Sequence, residues 1–369
     1  MLLLSENVHC SRLQCTMTAM LVSARVQHPH VATLVSTNRV SHATKRPVVW
    51  RLQATVDDAS SPTEVPSSEK SKRVQLACPV CFTPFVGTLK ACVSCARSFP
   101  TSNGVIDLCL DAGGANGAYK EPPAKSGTKL FQNEAISSIY ENGWRQSFSW
   151  AGFPGEEKET QIAMRYMDSA FGGVLLDVSC GSGLFSRQFA KSEKFQCVVA
   201  SDFSQTMMNQ TREYCGKDEI LKGMMEGGVK GDLTGDSEDP SPSLLLLKAD
   251  VGRLPFKSGS LDAVHAGAAM HCWPSPSLAV AEISRVLKPG GVFCASTFLD
   301  PTAMFENDEA MDTLSSLFKD SGAGTGGAFN QFFSEPELRD LTTKMCGFQG
   351  WECERERQFI FFKVVKPME

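Results

Sequence analysis

Four cysteines near the start of the chain have the spacing of a metal site. Cys78-x2-Cys81 and Cys92-x2-Cys95 are two pairs separated by ten residues, within the segment CPVCFTPFVGTLKACVSC. Two such pairs on tight turns supply the four thiolates that tetrahedral zinc binds. The spacing therefore predicts a structural zinc site on a short β-ribbon, with disulfides or free thiols as alternatives. Because so small a segment has little core, zinc is expected to contribute to its folding.

A second group of residues indicates a nucleotide-type cofactor. The segment LLDVSCGSG places Asp177 before a turn of the form D-x-G-x-G-x-G, with Ser179 at the first glycine position. Gly181 and Gly183 allow a ligand to approach the backbone closely, and a following helix offers free N–H groups. A dinucleotide fingerprint would need glycine where Ser186 stands. Asp177 suits a cationic amino group, which leaves nicotinamide binding as the less favoured alternative.

Further candidates follow the next strands of the predicted sheet. Asp202 ends the second strand, 25 residues after Asp177, where other doubly wound nucleotide folds hold both ribose hydroxyls with a carboxylate. His265 lies near the end of the fourth strand and His271 in the loop behind it, and both are candidates for acid–base chemistry or for hydrogen-bonded structural roles. Cys272 is predicted to be a packed thiol rather than a nucleophile.

Alternating strand and helix patterns predict the scaffold that positions these residues. A helical pattern over 156–171 precedes GVLLDV, an apolar run typical of a buried parallel strand. The next predicted elements are a helix near 183–191, the strand CVVAS, a helix near 204–215, the strands LLLLKA and LDAVHA, a helix near 276–287 and the strand VFCASTF. A helix capped by Ser334 and a strand pair over WECERERQFIFFKVVK follow. This order predicts an open, doubly wound α/β sheet with ligands at the carboxyl ends of its strands.

Two insertions and one aromatic segment accompany this scaffold. The polar, glycine-rich segments 216–243 and 319–328 are predicted to be mobile loops. A third segment, ahead of the first domain helix, is predicted either to close over a ligand or to pack as an N-terminal helix. Its four notable residues are Trp144, Arg145, Trp150 and Phe153.

Several of these segments resemble the successive motifs of class I S-adenosylmethionine methyltransferases. They are LLDVSCGSG, ASDFS, KADVGRLPFKSGSLDAVHA, MHCWPSP and LKPGG, between about 170 and 300. The resemblance implies a Rossmann-like α/β domain with a seven-stranded, mostly parallel sheet that binds S-adenosylmethionine. The segment YENGWRQSFSWAGFPGEEKE further resembles plastid-targeted methyltransferases of the green lineage that are associated with plastoglobules. Those proteins also have a cysteine ribbon ahead of the catalytic domain and serine at the first glycine position.

The resemblance implies a role for each cofactor-site residue. The implied set is Asp177, Ser179, Gly181, Gly183, Asp202, Phe203, Asp250 and Val251. Asp177 is expected beside the methionine amino group, and Asp202 is expected to hold the ribose. Phe203 would flank the adenine, unless it packs in the core. Asp250 would accept a hydrogen bond from the exocyclic amine, unless it only caps a turn.

The histidines gain a possible chemical role from the same resemblance. His271 matches the Leu-His-Trp-like position of the family, and together with His265 it forms the catalytic candidate set. A sulfonium donor is already activated, so alignment of donor and acceptor supplies much of the acceleration. A general base is needed only when the acceptor, such as a hydroxyl group, must lose a proton.

The first 54 residues differ in composition from the rest of the chain. Residues 1–54 are acid-poor, basic and rich in Ser and Thr, with one acid against six bases, which predicts an organelle transit peptide. Its removal changes the formal net charge from −5 to −10. The predicted remainder is a linker over 55–73, the zinc ribbon over 74–110, a second linker over 111–128 and the methyltransferase domain over 129–369.

Three functions are compatible with these features. The favoured one is methylation of a small plastid metabolite, such as a prenylquinone, pigment or aromatic precursor, in the stroma or at a plastoglobule or thylakoid lipid surface. The second is methylation of organellar ribosomal RNA, against which the acidic charge weighs. The third is a non-enzymatic, cofactor-binding plastoglobule component. The basic residues that would contact RNA are Lys70, Lys72, Arg73, Lys90 and Arg97.

Overall fold

A computed structural model describes five parts of the chain. These are residues 74–85, 91–110, 145–234, 243–300 and 332–369, and all of them belong to one compact unit, Lys70–Glu369. Several predictions lie outside the described residues. They concern the transit peptide, both linkers, the insertion at 319–328, Trp144 and the basic residues Lys70, Lys72, Arg73 and Lys90.

The described residues form a nine-stranded sheet with the strand order β1-β2-β5-β4-β3-β6-β7-β9-β8. The strands are β1 Thr101–Ser102, β2 Val105–Asp107, β3 Val174–Val178, β4 Cys197–Asp202, β5 Ser243–Lys248, β6 Leu261–Ala266, β7 Leu287–Phe298, β8 Gln349–Glu356 and β9 Phe359–Val365. Strands β2 to β7 pair in parallel, whereas β1, β9 and β8 pair antiparallel to their neighbours. The seven strands β3 to β9 form the sheet that the sequence predicted, and β1 and β2 extend it at one edge.

Helices cover both faces of the sheet. They are α1 Glu156–Tyr166, α2 Leu184–Lys191, α3 Gln205–Gly216, α4 Glu219–Thr234, α5 Pro276–Val286 and α6 Glu335–Arg339. Short 3₁₀ turns occupy Arg145–Ala151, Asp168–Ala170, Val251–Arg253 and Met270–Cys272, and a π-helical turn at Asp340–Met345 continues α6. Ser334 caps α6 in a capping box with Glu337, as its sequence predicted. No helix of the described residues is both long and apolar enough to cross a membrane.

The prediction of a loop over 216–243 was wrong for its first part. Helix α4 occupies Glu219–Thr234. Its Leu221 is buried, and Met224 and Met225 pack on the same apolar cluster. These residues have the i, i+3 and i+4 spacing of one helix face, which outweighs the four glycines nearby. Residues 235–242 lie outside the described part of the chain.

The cysteine segment packs against the parallel sheet. Strand β2 pairs with β5, and the Nζ of Lys248 lies 2.8 Å from the Oδ2 of Asp107 across that pair. Buried residues of the segment, among them Leu76 and Phe99, belong to the apolar cluster that also contains Leu254 and Phe256. The cysteine pairs are therefore held against the loop that follows β5.

Candidate functional site

The turn after β3 has the backbone that the glycine motif requires. Ser179, Gly181 and Gly183 all have positive φ angles, of 55°, 58° and 80°. A side chain in this region costs about 1–2 kcal/mol, which is why glycine is the usual first residue. The side chain of Ser179 has a partner, because the Nε1 of Trp273 donates to its Oγ at 3.0 Å. Serine thus links the turn to the loop behind β6.

At the third glycine position, Gly183, there is no room for a larger side chain. A Cβ on Gly183 would lie 2.5 Å from the Cγ2 of Thr211 in α3, closer than atoms can pack. The hydroxyl of Thr211 also donates to the carbonyl of Gly181 at 2.8 Å. Helix α3 therefore holds the turn at a fixed place, and glycine at position 183 is a packing requirement.

Asp202 ends β4 and contacts the same turn. Its Oδ2 accepts from the backbone N–H of Gly181 at 2.9 Å, and its Oδ1 accepts from that of Ser204 at 2.8 Å. A carboxylate has about four acceptor sites, so this one keeps acceptor capacity for a further donor. Burial raises the pKa of Asp202 to about 6, although these N–H donors act to lower it. The group is partly exposed and suited to receive a pair of hydroxyls.

If Asp202 holds the ribose, as the resemblance implies, its raised pKa predicts a pH dependence of cofactor affinity. A hydroxyl pair needs the ionised carboxylate, so affinity for S-adenosylhomocysteine should be constant above about pH 7 and fall as the pH decreases through 6. Calorimetric titrations between pH 5 and 8 measure this dependence. Asp202→Asn is the control, since its profile should be flat over the same range. A wild-type profile as flat as that of the variant would contradict a role for this carboxylate.

Asp177 lies beneath the turn in a buried polar network. Its carboxylate is 1% exposed, with Oδ1 at 2.8 Å from the Nδ1 of His265 and Oδ2 accepting from the hydroxyl of Ser186. The second ring nitrogen of His265, Nε2, has no hydrogen-bond partner among the described residues. Phe185 and Phe189 pack edge-on against the imidazole. Asp177 of β3 thus joins Ser186 of α2 to His265 of β6. Ser186 is the residue that stands where a dinucleotide motif would have glycine.

His271 lies in the 3₁₀ turn behind β6. Its Nδ1 is 3.2 Å from the Oγ1 of Thr297 near the end of β7, and its ring packs edge-on against Phe298. The side chain is 2% exposed. Burial raises the pKa of neighbouring Cys272 to about 12, so this thiol is not a nucleophile at neutral pH, as predicted.

A buried carboxylate near this turn was missed by sequence reasoning. Glu159 of α1 is 1% exposed, and its Oε2 accepts from the hydroxyl of Ser296 at 3.4 Å. The Oγ of Ser296 in turn accepts from the N–H of Ala268 at 2.9 Å. In the sequence, Glu159 resembles the ordinary acidic residues of a helix start, and only its place on the buried side of α1 distinguishes it.

The residues expected near the adenine follow β4 and β5. Asp250 caps the 3₁₀ turn at Val251–Arg253, with its Oδ1 accepting from the N–H of Gly252 at 2.8 Å. Asp250 therefore caps a turn, as the structural alternative for this residue predicted. Phe203 is only partly buried, so it is not a core residue. Strands β4 and β5 pair with Asp202 opposite Lys248, which brings these loops to the same edge of the sheet.

The aromatic segment ahead of α1 does not form one unit. Phe153 is buried and packs on Phe148, Phe298 and Phe359. Trp150 is 57% exposed. The backbone of Arg145 begins the 3₁₀ turn that contains both Phe148 and Trp150.

The four predicted metal ligands converge. The sulfur atoms of Cys78, Cys81, Cys92 and Cys95 all lie within 4.8 Å of one another. In each pair, the residue after the second cysteine has a positive φ, and its N–H donates at 2.8 Å to the carbonyl of the first cysteine. These residues are Phe82 and Ala96. Two matching knuckles thus present four thiols around one point, an arrangement compatible with tetrahedral zinc.

Comparison with known proteins decides the family. The family described as "Methyltransferase domain" matches residues 176–295. Two Arabidopsis thaliana proteins, each named an uncharacterized chloroplastic methyltransferase, are 38% and 37% identical to this chain, over 82% of it and 82% and 81% of their own lengths. The chain belongs to this methyltransferase family. It is an S-adenosylmethionine-dependent methyltransferase with a Rossmann-like domain.

More distant relatives and solved structures match about half to two thirds of the chain. A sterol 24-C-methyltransferase of Gibberella zeae is 30% identical over 49% of this chain and 44% of its own. A Haemonchus contortus phosphoethanolamine N-methyltransferase, solved with S-adenosylmethionine, is 16% identical with a TM-score of 0.44, over 66% of this chain and 61% of its own. The resemblance to class I methyltransferases, which the motifs between about 170 and 300 indicated, is therefore confirmed for this methyltransferase.

Proposed function

We propose that this methyltransferase modifies a small apolar or aromatic plastid metabolite, such as a prenylquinone or pigment precursor. The observation that carries the proposal is the aromatic cluster around His271. Phe298 packs against its imidazole, and Phe148, Phe153 and Phe359 extend the apolar wall. These rings are themselves buried, so an acceptor beside His271 would lie against an apolar core, which suits a flat or prenylated molecule rather than a charged one.

The proposed cofactor placement rests on the three loops at one sheet edge. S-adenosylmethionine supplies an activated methyl group when bound. Asp202 would hold the ribose hydroxyls with the acceptor capacity left beside its contacts to Gly181 and Ser204. Phe203 would cover one face of the adenine, and Asp250 with Val251 would bound its amine edge. Ser179 and the two glycines would hold the methionine portion through the backbone of the turn.

The two histidines receive different proposed roles. His265 is enclosed by aromatic rings and bound to Asp177, so we assign it to positioning the turn rather than to acceptor contact. Asp177 would act on the methionine amino group through the base of the turn, because it is almost fully buried. His271 would orient the acceptor and, for a hydroxyl acceptor, remove its proton. The hydrogen bond to Thr297 fixes the direction of its ring.

The four-cysteine cluster is proposed to hold one structural zinc ion. Its sulfur atoms have the required convergence, and the paired knuckles match each other in backbone conformation. A closed set of four thiolates leaves no coordination position for a substrate or water. The proposed ion therefore supports the fold and takes no part in methyl transfer.

Protein purified in reductant is expected to contain one zinc per chain, because thiolate ligands hold this metal tightly at neutral pH. Elemental analysis by mass spectrometry measures the content. Cys81→Ser should lose the metal, whereas Cys353→Ser, at a partly buried cysteine outside the cluster, should retain it. Wild-type protein that is folded and free of zinc would refute the site.

The relatives bear on where and on what the enzyme acts. Two of them are named chloroplastic, which supports a plastid location for this chain. The Gibberella zeae relative is named for a sterol, an apolar acceptor of the kind proposed here. We place the enzyme in the chloroplast, in the stroma or at a plastoglobule or thylakoid surface.

Labelling of plastid extracts tests this function. Extract incubated with enzyme and methyl-labelled donor, with and without ribonuclease, should yield a labelled organic-soluble product that ribonuclease does not affect. A matched reaction with Asp202→Ala should yield much less. Label that enters RNA and disappears with ribonuclease would instead support the ribosomal RNA alternative and refute the metabolite proposal.

A further inference from the structure

The first cysteine knuckle is attached to the loop that follows β5. The Nε of Arg253 donates to the carbonyl of Pro79, and its second terminal nitrogen donates to that of Val80 at 2.8 Å. Pro79 and Val80 are the two residues between the ligand positions Cys78 and Cys81. One guanidinium thus binds both carbonyls inside the knuckle, and its rigid planar fork fixes their relative direction better than a rotating lysine ammonium would.

An aromatic contact strengthens this attachment. The guanidinium carbons of Arg253 and Arg285 lie 4.3 and 4.4 Å from the ring centre of Phe82, the residue that follows the second cysteine of the knuckle. The backbone also joins, since the N–H of Ala77 donates to the carbonyl of Pro255 at 2.8 Å. The knuckle and the loop therefore share a hydrogen-bonded and stacked interface.

The same loop carries the residues proposed for the adenine. Arg253 is the last residue of the 3₁₀ turn that Asp250 caps, and the N–H of Arg253 donates to the carbonyl of Asp250 at 3.0 Å. On the opposite flank, Glu282 accepts from the N–H of Leu254 at 2.8 Å and pairs with Arg285. The position of Asp250 thus depends on a turn whose third residue is fixed by the knuckle.

We propose that Arg253 is a positioning residue through which the zinc knuckle holds the adenine-recognising loop of the cofactor site. This inference rests on the cofactor placement proposed above. When the metal holds Cys78 and Cys81 together, the carbonyls of Pro79 and Val80 point to one guanidinium. Loss of the metal releases the knuckle, because four-cysteine segments of this size depend on their ion to fold. Arg253 then loses both acceptors, and the turn at Asp250 is no longer held from that side.

The test compares binding of S-adenosylhomocysteine with that of S-inosylhomocysteine, in which an oxygen replaces the exocyclic amine. Wild type should prefer the adenosyl compound about tenfold or more, since Asp250 accepts from the amine and repels the oxygen. In Arg253→Ala the adenosyl affinity should fall about tenfold and the preference should largely disappear, while elemental analysis still finds one zinc. Arg253→Lys, which keeps the charge without the fork, should lie between the two.

Two further measurements separate positioning from a loss of fold. Chelation of the metal should reduce the wild-type preference as much as Arg253→Ala does, and should add nothing in that variant. Arg357→Ala is the matched control, because Arg357 also donates to a backbone carbonyl, that of Trp150. The Arg357→Ala protein should prefer the adenosyl over the inosyl compound as strongly as wild type does. If Arg253→Ala does not fold, Arg253→Lys and Phe82→Leu test the same contacts.

The outcomes are distinct. If a folded Arg253→Ala protein, or metal-free wild type, still prefers the adenosyl over the inosyl compound as wild type does, the role of the knuckle is overturned. The cofactor placement would then remain intact. A wild-type enzyme that binds S-adenosylhomocysteine with no preference for the amine would overturn the role proposed for Asp250, and the inference with it. Loss of preference in both Arg253→Ala and metal-free protein, with a normal Arg357→Ala control, is the result expected.

Discussion

Turnover of a hydroxyl acceptor is expected to fall by about two orders of magnitude in His271→Ala, as for the loss of a general base. The imidazole is buried at the carboxyl end of the sheet, and Thr297 and Phe298 fix its orientation. Affinity for S-adenosylhomocysteine should not change, because the proposed cofactor contacts lie on other loops. Steady-state kinetics with the acceptor from the extract assay, combined with calorimetry, measure both quantities.

Two comparisons show how the histidine acts. Thr297→Val removes the hydrogen bond to the ring but retains the imidazole, so its turnover should fall less than that of His271→Ala. If the acceptor is an activated carbon, no proton must leave an oxygen and His271→Ala should act mainly through packing. Wild-type turnover of a hydroxyl acceptor by folded His271→Ala protein would remove the histidine from the mechanism.

Asp202→Ala is expected to weaken S-adenosylmethionine binding by about 1–3 kcal/mol, because two ribose hydroxyls lose a charged acceptor. This corresponds to about 5- to 150-fold in the dissociation constant. The variant also leaves the N–H groups of Gly181 and Ser204 without their carboxylate acceptor, so the turn itself should loosen. Calorimetric titration at pH 7.5 gives the affinity.

A control separates this effect from a general change in charge. Asp340→Ala removes a carboxylate that pairs with Lys344 on an exposed helical turn, and its affinity should equal that of wild type. Unchanged affinity in Asp202→Ala, or preferential binding of a nicotinamide cofactor by wild type, would contradict the proposed ribose contact.

The sheet was predictable because its local signals agree. Apolar runs predicted the buried strands β3 to β7. The glycines Gly181 and Gly183, which have positive φ angles, marked the turn after β3. Helix α4 was missed because its glycines and polar neighbours indicated a loop, while three apolar residues on one face determined the structure. Tertiary packing outweighed local propensity at that helix.

The contacts within the site were less predictable, because they join residues far apart in the chain. The bond from Trp273 to Ser179 spans 94 positions, and that from Arg253 to Pro79 spans 174. Neither has a local pattern that identifies its partner. Ser179 was recognised as a departure from glycine, but only the fold supplies the tryptophan that binds it. The sequence thus identifies residue types with chemical potential, and the topology determines which of them meet.

Hydrogen exchange with and without S-adenosylhomocysteine tests the proposed cofactor site, because it reports which backbone segments the ligand protects. A cofactor at this site should slow exchange in peptides that cover three loops, those at Ser179–Gly183, Phe203–Ser204 and Val251–Gly252, and should change little on β8 and β9. Saturating ligand that leaves these three loops unprotected, or that protects a different face of the sheet, would contradict a cofactor site at the carboxyl ends of β3, β4 and β5.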